Sequence, residues 1–175
     1  KLDCNGNLLF SKKIEGIQSI HIQKVMEIGG GKISAILNFY SNQNGTESIL
    51  LTLNNNFDII SQKIYSWQYY NSFEDFVYTE NGEFFFSGLI YDPENIRYYG
   101  LVCKTDFFGN IIWQKSYQLK QVSFFYSIDK TMDGNFLITG GTKDDLFDKN
   151  SDLFILKIDQ YGNPLMAKTF GGKSY

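Results

Sequence analysis

The chain has 175 residues, of which 43% are apolar, 17% aromatic and 20% charged, and its formal net charge is −3. An apolar share close to the globular norm excludes a disordered tail, and the presence of only 2 Pro and 2 Cys excludes collagen-like, Pro-rich and disulfide-framework classes. A pI near 5.1 without a basic run argues against nucleic acid or an anionic membrane surface as the main partner.

No segment of the sequence predicts targeting or membrane insertion. The longest purely apolar runs, such as Phe84 to Phe86, are far shorter than the roughly 20 residues that a transmembrane helix needs. Residue 1 is Lys, and residues 1–14 lack the charged and apolar regions of a signal peptide, which predicts a processed chain or a piece of a longer one. Cys4 and Cys103 lie in different phases of the repeat described next, so we expect two free thiols, and the compartment stays open on this evidence.

A repeat of about 52 residues is the main feature of the sequence. Its equivalent turn positions follow one another in steps of 51, 52 and 53 residues and are Asn7, Asp58, Asn110 and Asn163. The same steps separate four lysines and four bulky apolar residues, which are Lys12, Lys63, Lys115 and Lys168, and Ile14, Tyr65, Tyr117 and Phe170. Three coincidences in register indicate a true internal repeat.

Each period contains four short apolar runs separated by turns. The turn glycines Gly31, Gly82 and Gly134 each stand two residues before an apolar residue, at steps of 51 and 52 residues. A third run precedes the Gly-Asn turn of each period, at residues 49–53, 100–104 and 153–157. The runs are rich in Ile, Phe, Tyr, Val and Thr and are bounded by Gly, Asn and Asp, which is typical of strands joined by tight turns.

The pattern therefore predicts an all-β fold. No window of ten or more residues shows helical spacing. Leu153 to Leu156 are apolar at every position, so we expect that strand to be covered on both sides. The run from Ile111 to Tyr117 turns polar at Gln114 and Lys115, which is typical of an outer or edge strand.

Four strands per period of about 52 residues is the arrangement of a β-propeller blade. We predict a propeller-like array of four-stranded antiparallel blades within one domain, residues 1–175, with blades at 1–14 (the last strand of a preceding blade), 18–66, 69–118 and 121–172. Bulky rings would fill the gaps between twisted sheets, and the small residues 87–88 and 139–141 predict places where neighbouring sheets crowd together. A β-sandwich is the structural alternative, but it has no reason to repeat its sequence.

The last two periods carry the family resemblance most strongly. Residues 106–117, 131–142, 152–159 and 168–172 read Asp-Phe-Phe-Gly-Asn-Ile-Ile-Trp-Gln-Lys-Ser-Tyr, Thr-Met-Asp-Gly-Asn-Phe-Leu-Ile-Thr-Gly-Gly-Thr, Asp-Leu-Phe-Ile-Leu-Lys-Ile-Asp and Lys-Thr-Phe-Gly-Gly. This pattern resembles the tandem β-propeller repeats of large secreted or surface-attached microbial proteins. The first two periods depart from it, because Phe57 replaces the turn glycine and Gly31 lacks its Asp. The resemblance implies an extracellular binding or scaffold module and no particular reaction.

The count of blades predicts an incomplete ring. The chain opens on a fourth strand, residues 7–14, and closes on a fourth strand, residues 163–170, which gives three complete blades plus one orphan N-terminal strand. Known propellers close with about four to eight blades, so three would leave two open apolar faces. We therefore expect a fragment of a larger propeller, or an assembly in which other chains complete the ring.

The acidic loop at residues 143–152 is the best metal candidate in the sequence. Asp148, Asn150 and Asp152 alternate, so their oxygens could meet a hard cation such as Ca²⁺. Leu153 and Gln160 stand where an EF-hand requires glycine and a bidentate acid. The preferred interpretation is a solvated loop, and no metal site is predicted.

Residues that could support catalysis are few. His21 is the single histidine, and no Ser or Cys nucleophile can be paired with it. The adjacent acids Glu74-Asp75 and Asp144-Asp145 make poor acid/base couples, because neighbouring strand residues point to opposite faces. The run 29–31 is glycine only and lacks the ending of a phosphate-binding loop, which favours a hairpin turn. The sequence thus predicts no catalytic or cofactor-binding residue and no cofactor.

Three further features admit a binding and a structural interpretation. The in-phase lysines could contact an acidic partner, but we favour protection of the outer strands against edge pairing. The aromatic residues Trp67, Tyr69-Tyr70 and Tyr98-Tyr99 could form a platform for sugar or peptide, but blade packing is favoured. Asn44-Gly45-Thr46 is a lone glycosylation sequon in an expected loop.

Together these patterns favour a non-enzymatic binding or scaffold module of an extracellular or cell-surface assembly. It would recognise a protein or glycan through propeller loops, with other protein subunits or further blades of the same polypeptide as neighbours, and without nucleic-acid binding or membrane insertion. One alternative is a fragment of a propeller enzyme, glycan-active or quinone-dependent, whose catalytic residues lie in missing blades. Another is an intracellular protein-interaction propeller.

Overall fold

A computed structural model of the chain describes residues 4–8, 11, 20–41, 45–67 and 70–171. All regular elements in these ranges are strands, and they are β1 (Ile20–Glu27), β2 (Ile33–Ser41), β3 (Gly45–Leu53), β4 (Ile59–Tyr65), β5 (Asn71–Tyr78), β6 (Phe84–Asp92), β7 (Arg97–Thr105), β8 (Ile111–Tyr117), β9 (Val122–Lys130), β10 (Phe136–Lys143), β11 (Asp152–Ile158) and β12 (Pro164–Phe170). The predicted all-β fold is confirmed, and the outer strand expected at Ile111–Tyr117 is β8.

The strands form three antiparallel meanders, each of four strands in chain order. We name them blade 1 (β1–β4), blade 2 (β5–β8) and blade 3 (β9–β12). Within every blade each strand pairs with its sequence neighbour. A single parallel pair, Tyr98 with Val122, joins β7 to β9 and links blades 2 and 3. The array is propeller-like, and the orphan strand expected at residues 7–14 lies largely outside the described residues.

Alternation of side chains along the strands builds the core between blades. In β6, Phe84 and Phe86 face blade 1, whereas Phe85 between them faces blade 3. The first cluster joins Ile36 and Leu50 of blade 1 to the phenylalanines of blade 2, and the second joins Phe85 and Val102 to blade 3. A strand that is apolar at successive positions can therefore bury both faces when sheets flank it.

The strand over Leu153–Leu156 does not fit the expectation of cover on both sides. Phe154 and Leu156 are buried in the cluster shared with blade 2, but Leu153 is 52% exposed. The physical reason is that Leu153 lies on the opposite face of blade 3, where Ile155 is half-buried and every residue of β12 is exposed. Among the described residues, this face is only partly covered.

A β-bulge recurs in the first strand of every blade. The bulged residues are Gln23, Glu74 and Tyr126, at steps of 51 and 52 residues. Gly88 and Gly140 lie opposite two of these bulges, and a Cβ on them would stand 1.9 Å from the carbonyl oxygen of Ser72 and 1.8 Å from that of Phe124. The expectation that neighbouring sheets crowd these glycines is wrong, because the nearest backbone is the adjacent strand of the same blade.

Among the described residues, no helical segment has the length and hydropathy of a membrane span.

Candidate functional site

In a meander the connections between first and second strands and between third and fourth strands lie at one end of the sheet. We call this end the turn face. Its 3–4 turns adopt one shape, because the N–H of Gly109 donates to Asp106 O and the N–H of Gly162 donates to Asp159 O, with both glycines at positive φ. Phe57 takes the same left-handed φ, 60°, in blade 1, where the glycine is missing.

The side chain that opens each 3–4 turn closes it by hydrogen bonds. Asp106 Oδ1 accepts from the N–H groups of Phe108 and Asn110, and Asp106 Oδ2 accepts from the Asn110 amide at 2.9 Å. Blade 1 contains the inverse pair, in which the Asn54 amide donates to Asp58 Oδ2 at 3.2 Å. The exchange of acid and amide conserves the bond, which explains why the first period departs from the repeat without losing its turn.

Hydrogen bonds join the last strands of blades 1 and 2 to the 3–4 turn of the following blade. Tyr65 donates to the carbonyl of Gly109 at 2.9 Å, and Tyr117 donates to that of Gly162 at 2.7 Å. Lys63 and Lys115, two residues earlier, donate to the side-chain oxygens of Asn110 and Asn163. The favoured interpretation of these lysines as protection against edge pairing is therefore incomplete, because both join neighbouring blades.

Charged pairs cover the turn face. Lys157 of β11 lies 2.6 Å from Asp133 in the turn of blade 3, and Lys104 of β7 lies 2.9 Å from Glu83 in the turn of blade 2. The Lys157 ammonium, with the Thr131 hydroxyl, holds the pKa of the Asp133 carboxyl well below its ordinary value. This carboxyl is therefore an anion at any physiological pH and is unsuited to act as a general acid.

A groove lies on the turn face between blades 2 and 3. It has a volume of about 210 Å³ and is lined by Thr79, Glu80, Glu83 and Phe85 of blade 2 and by Lys130, Phe136 and Gln160 of blade 3. Phe85 and Phe136, both buried, stack beneath it with ring centroids 3.8 Å apart, while Glu80 and Lys130 form a pair at 3.5 Å on its rim. A groove with a charged rim can receive a side chain of a partner and orient it.

Asp75 connects the first strands of all three blades. Its Oδ1 lies 2.7 Å from Lys24 Nζ of β1, and its Oδ2 accepts from the Ser127 hydroxyl at 2.7 Å and from the Ile128 N–H at 3.0 Å in β9. Lys24, Asp75 and Ser127 occupy equivalent positions of the repeat. A buried carboxylate with this many donors is a structural tie between blades.

The acidic loop does not bring its alternating acids together. Asp152 and Asp144 both pair with Lys120, at 2.8 and 3.0 Å, and Asp148 Oδ2 accepts from the Asp145 N–H. Lys120, whose pKa the hydrogen bond to Asp152 raises, thus neutralises much of the loop. Within the described parts of the chain, no three His, Cys, Asp or Glu side chains are grouped so as to hold a metal ion.

The remaining sequence candidates are dispersed. His21 is an exposed residue of β1, and residues 29–31 form the 1–2 turn of blade 1. Cys4 is exposed and Cys103 is buried, both are free as expected, and burial raises the pKa of the Cys103 thiol to about 12. Residues 44 and 69 lie outside the described residues, so the sequon and part of the aromatic set stay predictions.

Two of the described aromatic candidates, Trp67 and Tyr98, pack inside the array, whereas Tyr70 is exposed. Trp67 meets Phe73 at 5.3 Å and stacks on Tyr65 at 6.0 Å beside the core between blades 1 and 2. Tyr98 contacts Tyr91 at 4.7 Å and Phe124 at 5.4 Å. These contacts support the favoured interpretation, blade packing, for Trp67 and Tyr98.

The groove and the Asp75 tie were not found from the sequence. Both follow from differences between equivalent positions of successive periods, such as Phe107 against Gln160 or Lys24 against Asp75. The signal that could have located them is a change in side-chain charge or size between equivalent positions of the aligned periods.

Comparison with known proteins places the chain by fold. No family model matches, and no curated protein matches. An acylaminoacyl peptidase of Pyrococcus horikoshii is 12% identical with a TM-score of 0.51, over 87% of this chain and 25% of that protein. A chimera of ACO and RPE65 is 12% identical with a TM-score of 0.50, over 86% of this chain and 38% of the chimera.

Both structures are β-propeller proteins, which agrees with the propeller-like arrangement of the three blades. The chain spans about a quarter and about two fifths of their lengths, and at 12% identity the likeness shows the fold alone.

Proposed function

We propose that the chain is a non-enzymatic binding or scaffold module of an extracellular or cell-surface assembly, and that it recognises a protein or glycan through its turn face. The observation that carries the proposal is the groove between blades 2 and 3, where the exposed charges of Glu80 and Lys130 lie above two stacked, buried rings. Loops and turns on a rigid scaffold are the usual position of binding residues in such folds.

The partners of the acidic side chains support a binding role over a reaction. Asp75 is held by Lys24 and Ser127, and Asp133 is paired with Lys157. Asp106 and Asp159 close their own turns, and hydrogen bonds from Asn163 lower the pKa of Asp159. Carboxylates engaged in this way stabilise the fold and are poorly placed to exchange protons with a substrate.

The test is a binding screen of the full chain against arrayed glycans and extracellular proteins. A rim variant, Glu80→Ala with Lys130→Ala, is screened in parallel, with Lys149→Ala in the distant 2–3 loop of blade 3 as the control. We expect a partner that the rim variant loses and the control retains. A partner that is indifferent to the rim, together with turnover of a substrate by the chain, would remove the proposal.

A part of a propeller enzyme is the second candidate function. The observation that favours it is the fold likeness to an acylaminoacyl peptidase and to the ACO/RPE65 chimera. Under this alternative the reacting groups lie in blades other than the three described here. Catalytic activity that a longer polypeptide containing this chain shows, and that the chain alone lacks, would favour it.

A further inference from the structure

The sheet of blade 3 packs one face against blade 2, and its other face is only partly covered by described residues. Phe154 and Leu156 point toward blade 2, so the residues that alternate with them in β11 point away, together with their cross-strand partners. We call this side the outer face, and its apolar side chains are Leu137, Leu153, Ile155, Met166 and Phe170. An apolar patch of this kind is typical of an interaction surface.

The outer face differs from the two faces of the array that receive a following blade. At both of those interfaces a small residue faces a buried phenylalanine of the incoming first strand. The Phe73 N–H donates to Ser48 Oγ at 3.0 Å, and a Cβ on Gly100 would stand 2.0 Å from Cε1 of Phe125. Leu153 holds the equivalent position in blade 3, so its side chain would occupy the space of such a phenylalanine.

Two more positions separate the outer face from the interfaces within the array. Met26 packs against the core between blades 1 and 2, and Val77 is buried between blades 2 and 3, but the equivalent residue of blade 3 is the exposed Asp129. Phe170 lacks the hydroxyl through which its equivalent Tyr117 donates to the next turn. The outer face therefore lacks the features that receive a following blade in this array, and it suits an occupant of another kind.

Opposite charges lie near the two edges of the outer face. The strands of blade 3 follow the order β12-β11-β10-β9, with Lys168 on β12 and Asp129 on β9. Lys168 pairs across the sheet with Ile155, and Asp129 pairs with Leu137, so both charges belong to this face. The apolar side chains thus lie between an acidic edge and a basic edge.

This pattern is complementary to itself. A two-fold rotation about an axis parallel to the strands places β9 of one copy over β12 of another copy. Asp129 of each copy then lies over Met166 of the other, two residues or about 7 Å along the strand from Lys168, a step that the long lysine side chain can span. Lys157, in the same cross-strand row as Met166, is already paired with Asp133 of its own chain.

We propose that the outer face of blade 3 binds the outer face of a second copy of this chain, in a two-fold dimer where Asp129 of each copy pairs with Lys168 of the other. The inference goes beyond the proposed function, because this face is distinct from the groove on the turn face. The face is small, so dimerisation is weak, with a monomer at about 1 µM and a dimer at about 500 µM. Unfolding measured at the lower concentration therefore reports the stability of the monomer.

The experiment is analytical ultracentrifugation of the full chain across this range of concentration. We expect Asp129→Lys and Lys168→Glu each to weaken dimerisation about tenfold or more, because like charges then meet at both ends of the contact. Glu94→Lys, a charge reversal at an exposed residue in the 2–3 loop of blade 2, is the matched control and should leave dimerisation unchanged. Circular dichroism of each variant establishes that it is folded.

An equimolar mixture of Asp129→Lys and Lys168→Glu tests the two-fold geometry. In a dimer with one copy of each variant, opposite charges meet again at both ends, so we expect the mixture to dimerise like the unchanged chain. The chain that carries both substitutions should dimerise with itself for the same reason. A chain that stays monomeric at the higher concentration, a dimer indifferent to both charge reversals, or a mixture that does not recover dimerisation would overturn the inference. Each of these outcomes leaves the proposed function, which is tested at the rim of the groove, unaffected.

Discussion

At residue 96, a β-branched isoleucine adopts a φ of 52° in the turn between β6 and β7. This left-handed conformation costs an L-residue about 1–2 kcal/mol, and Ile96 is 52% exposed, so little packing offsets the cost. Ile96→Gly should therefore raise the free energy of unfolding by about 1 kcal/mol in urea titrations. Phe108→Gly is the control, because Phe108 is also exposed in a turn but has no positive φ. A loss of stability in Ile96→Gly would contradict the assigned strain.

The pair of Asp133 with Lys157 predicts an acid-dependent contribution to stability. The folded-state pKa of Asp133 lies below its ordinary value of 3.8, chiefly because of the Lys157 ammonium. A carboxyl whose pKa is lower in the folded state stabilises that state at pH values above the pKa of the unfolded chain. This contribution is lost as the pH falls below about 4. NMR titration of the Asp133 carboxyl should show a rise toward the ordinary value in Lys157→Met. Lys149→Met is the control, and an unchanged Asp133 pKa in Lys157→Met would refute the pairing.

At the scale of the element, the β-bulge in the first strand of blade 2 requires a glycine on the second strand opposite it. Gly88→Ala would place a Cβ against the Ser72 carbonyl, so the two paired strands must move apart. We expect the free energy of unfolding to fall by about 2–3 kcal/mol. Gly134→Ala is the matched control, since its Cβ meets open space and only the φ of 79° is unfavourable, at about 1 kcal/mol. Chemical denaturation of both variants measures their free energies of unfolding. Equal decreases in Gly88→Ala and Gly134→Ala would mean that the bulge does not crowd Gly88.

The elements themselves could be predicted from the sequence because their signals are local. Alternating apolar runs and turn glycines such as Gly109 and Gly162 mark the strands and their connections, and both glycines adopt the positive φ that such turns require. Phe57 shows the limit, since the turn shape persists without its glycine through the Asn54–Asp58 hydrogen bond. A pattern of residue types records preferences, whereas this turn depends on a particular pair of side chains.

Contacts between blades could be predicted only in part. Aromatic content indicated that rings fill the gaps, and Phe73, Phe86 and Phe125 do so. The hydrogen bond from Tyr65 to Gly109 joins residues 44 positions apart, and those of Asp75 with Ser127 and Ile128 join residues 52 and 53 positions apart. No local sequence pattern specifies such pairs. The groove could not be predicted either, because its lining residues Glu80, Lys130 and Gln160 come from separate turns and strands of two blades.

At the scale of the whole molecule, Asp75 is the residue that all three blades share. Asp75→Ala would leave the Ile128 N–H and the Ser127 hydroxyl without their acceptor and Lys24 without its counter-ion. Because the Lys24 side chain is 30% exposed, solvent screens its ion pair with Asp75, and we assign little energy to the loss of that pair. We expect the free energy of unfolding to fall by about 2–3 kcal/mol in total. Asp129→Ala, on the exposed side of β9, should change stability by less than about 0.5 kcal/mol. Similar losses in both variants would contradict the role of Asp75.

The central claim is that successive periods of the sequence form sheets packed face to face, and that blades 1 and 2 are each hydrogen-bonded to the turn of the following blade. The most direct measurement is a set of nuclear Overhauser effects in the full chain between Phe85 and Phe136 ring protons and between the Tyr117 ring and Gly162. Ring centroids 3.8 Å apart and a hydroxyl 2.7 Å from a carbonyl predict strong effects at both places. Strong effects within each sheet without any between Phe85 and Phe136 or between Tyr117 and Gly162 would contradict the account.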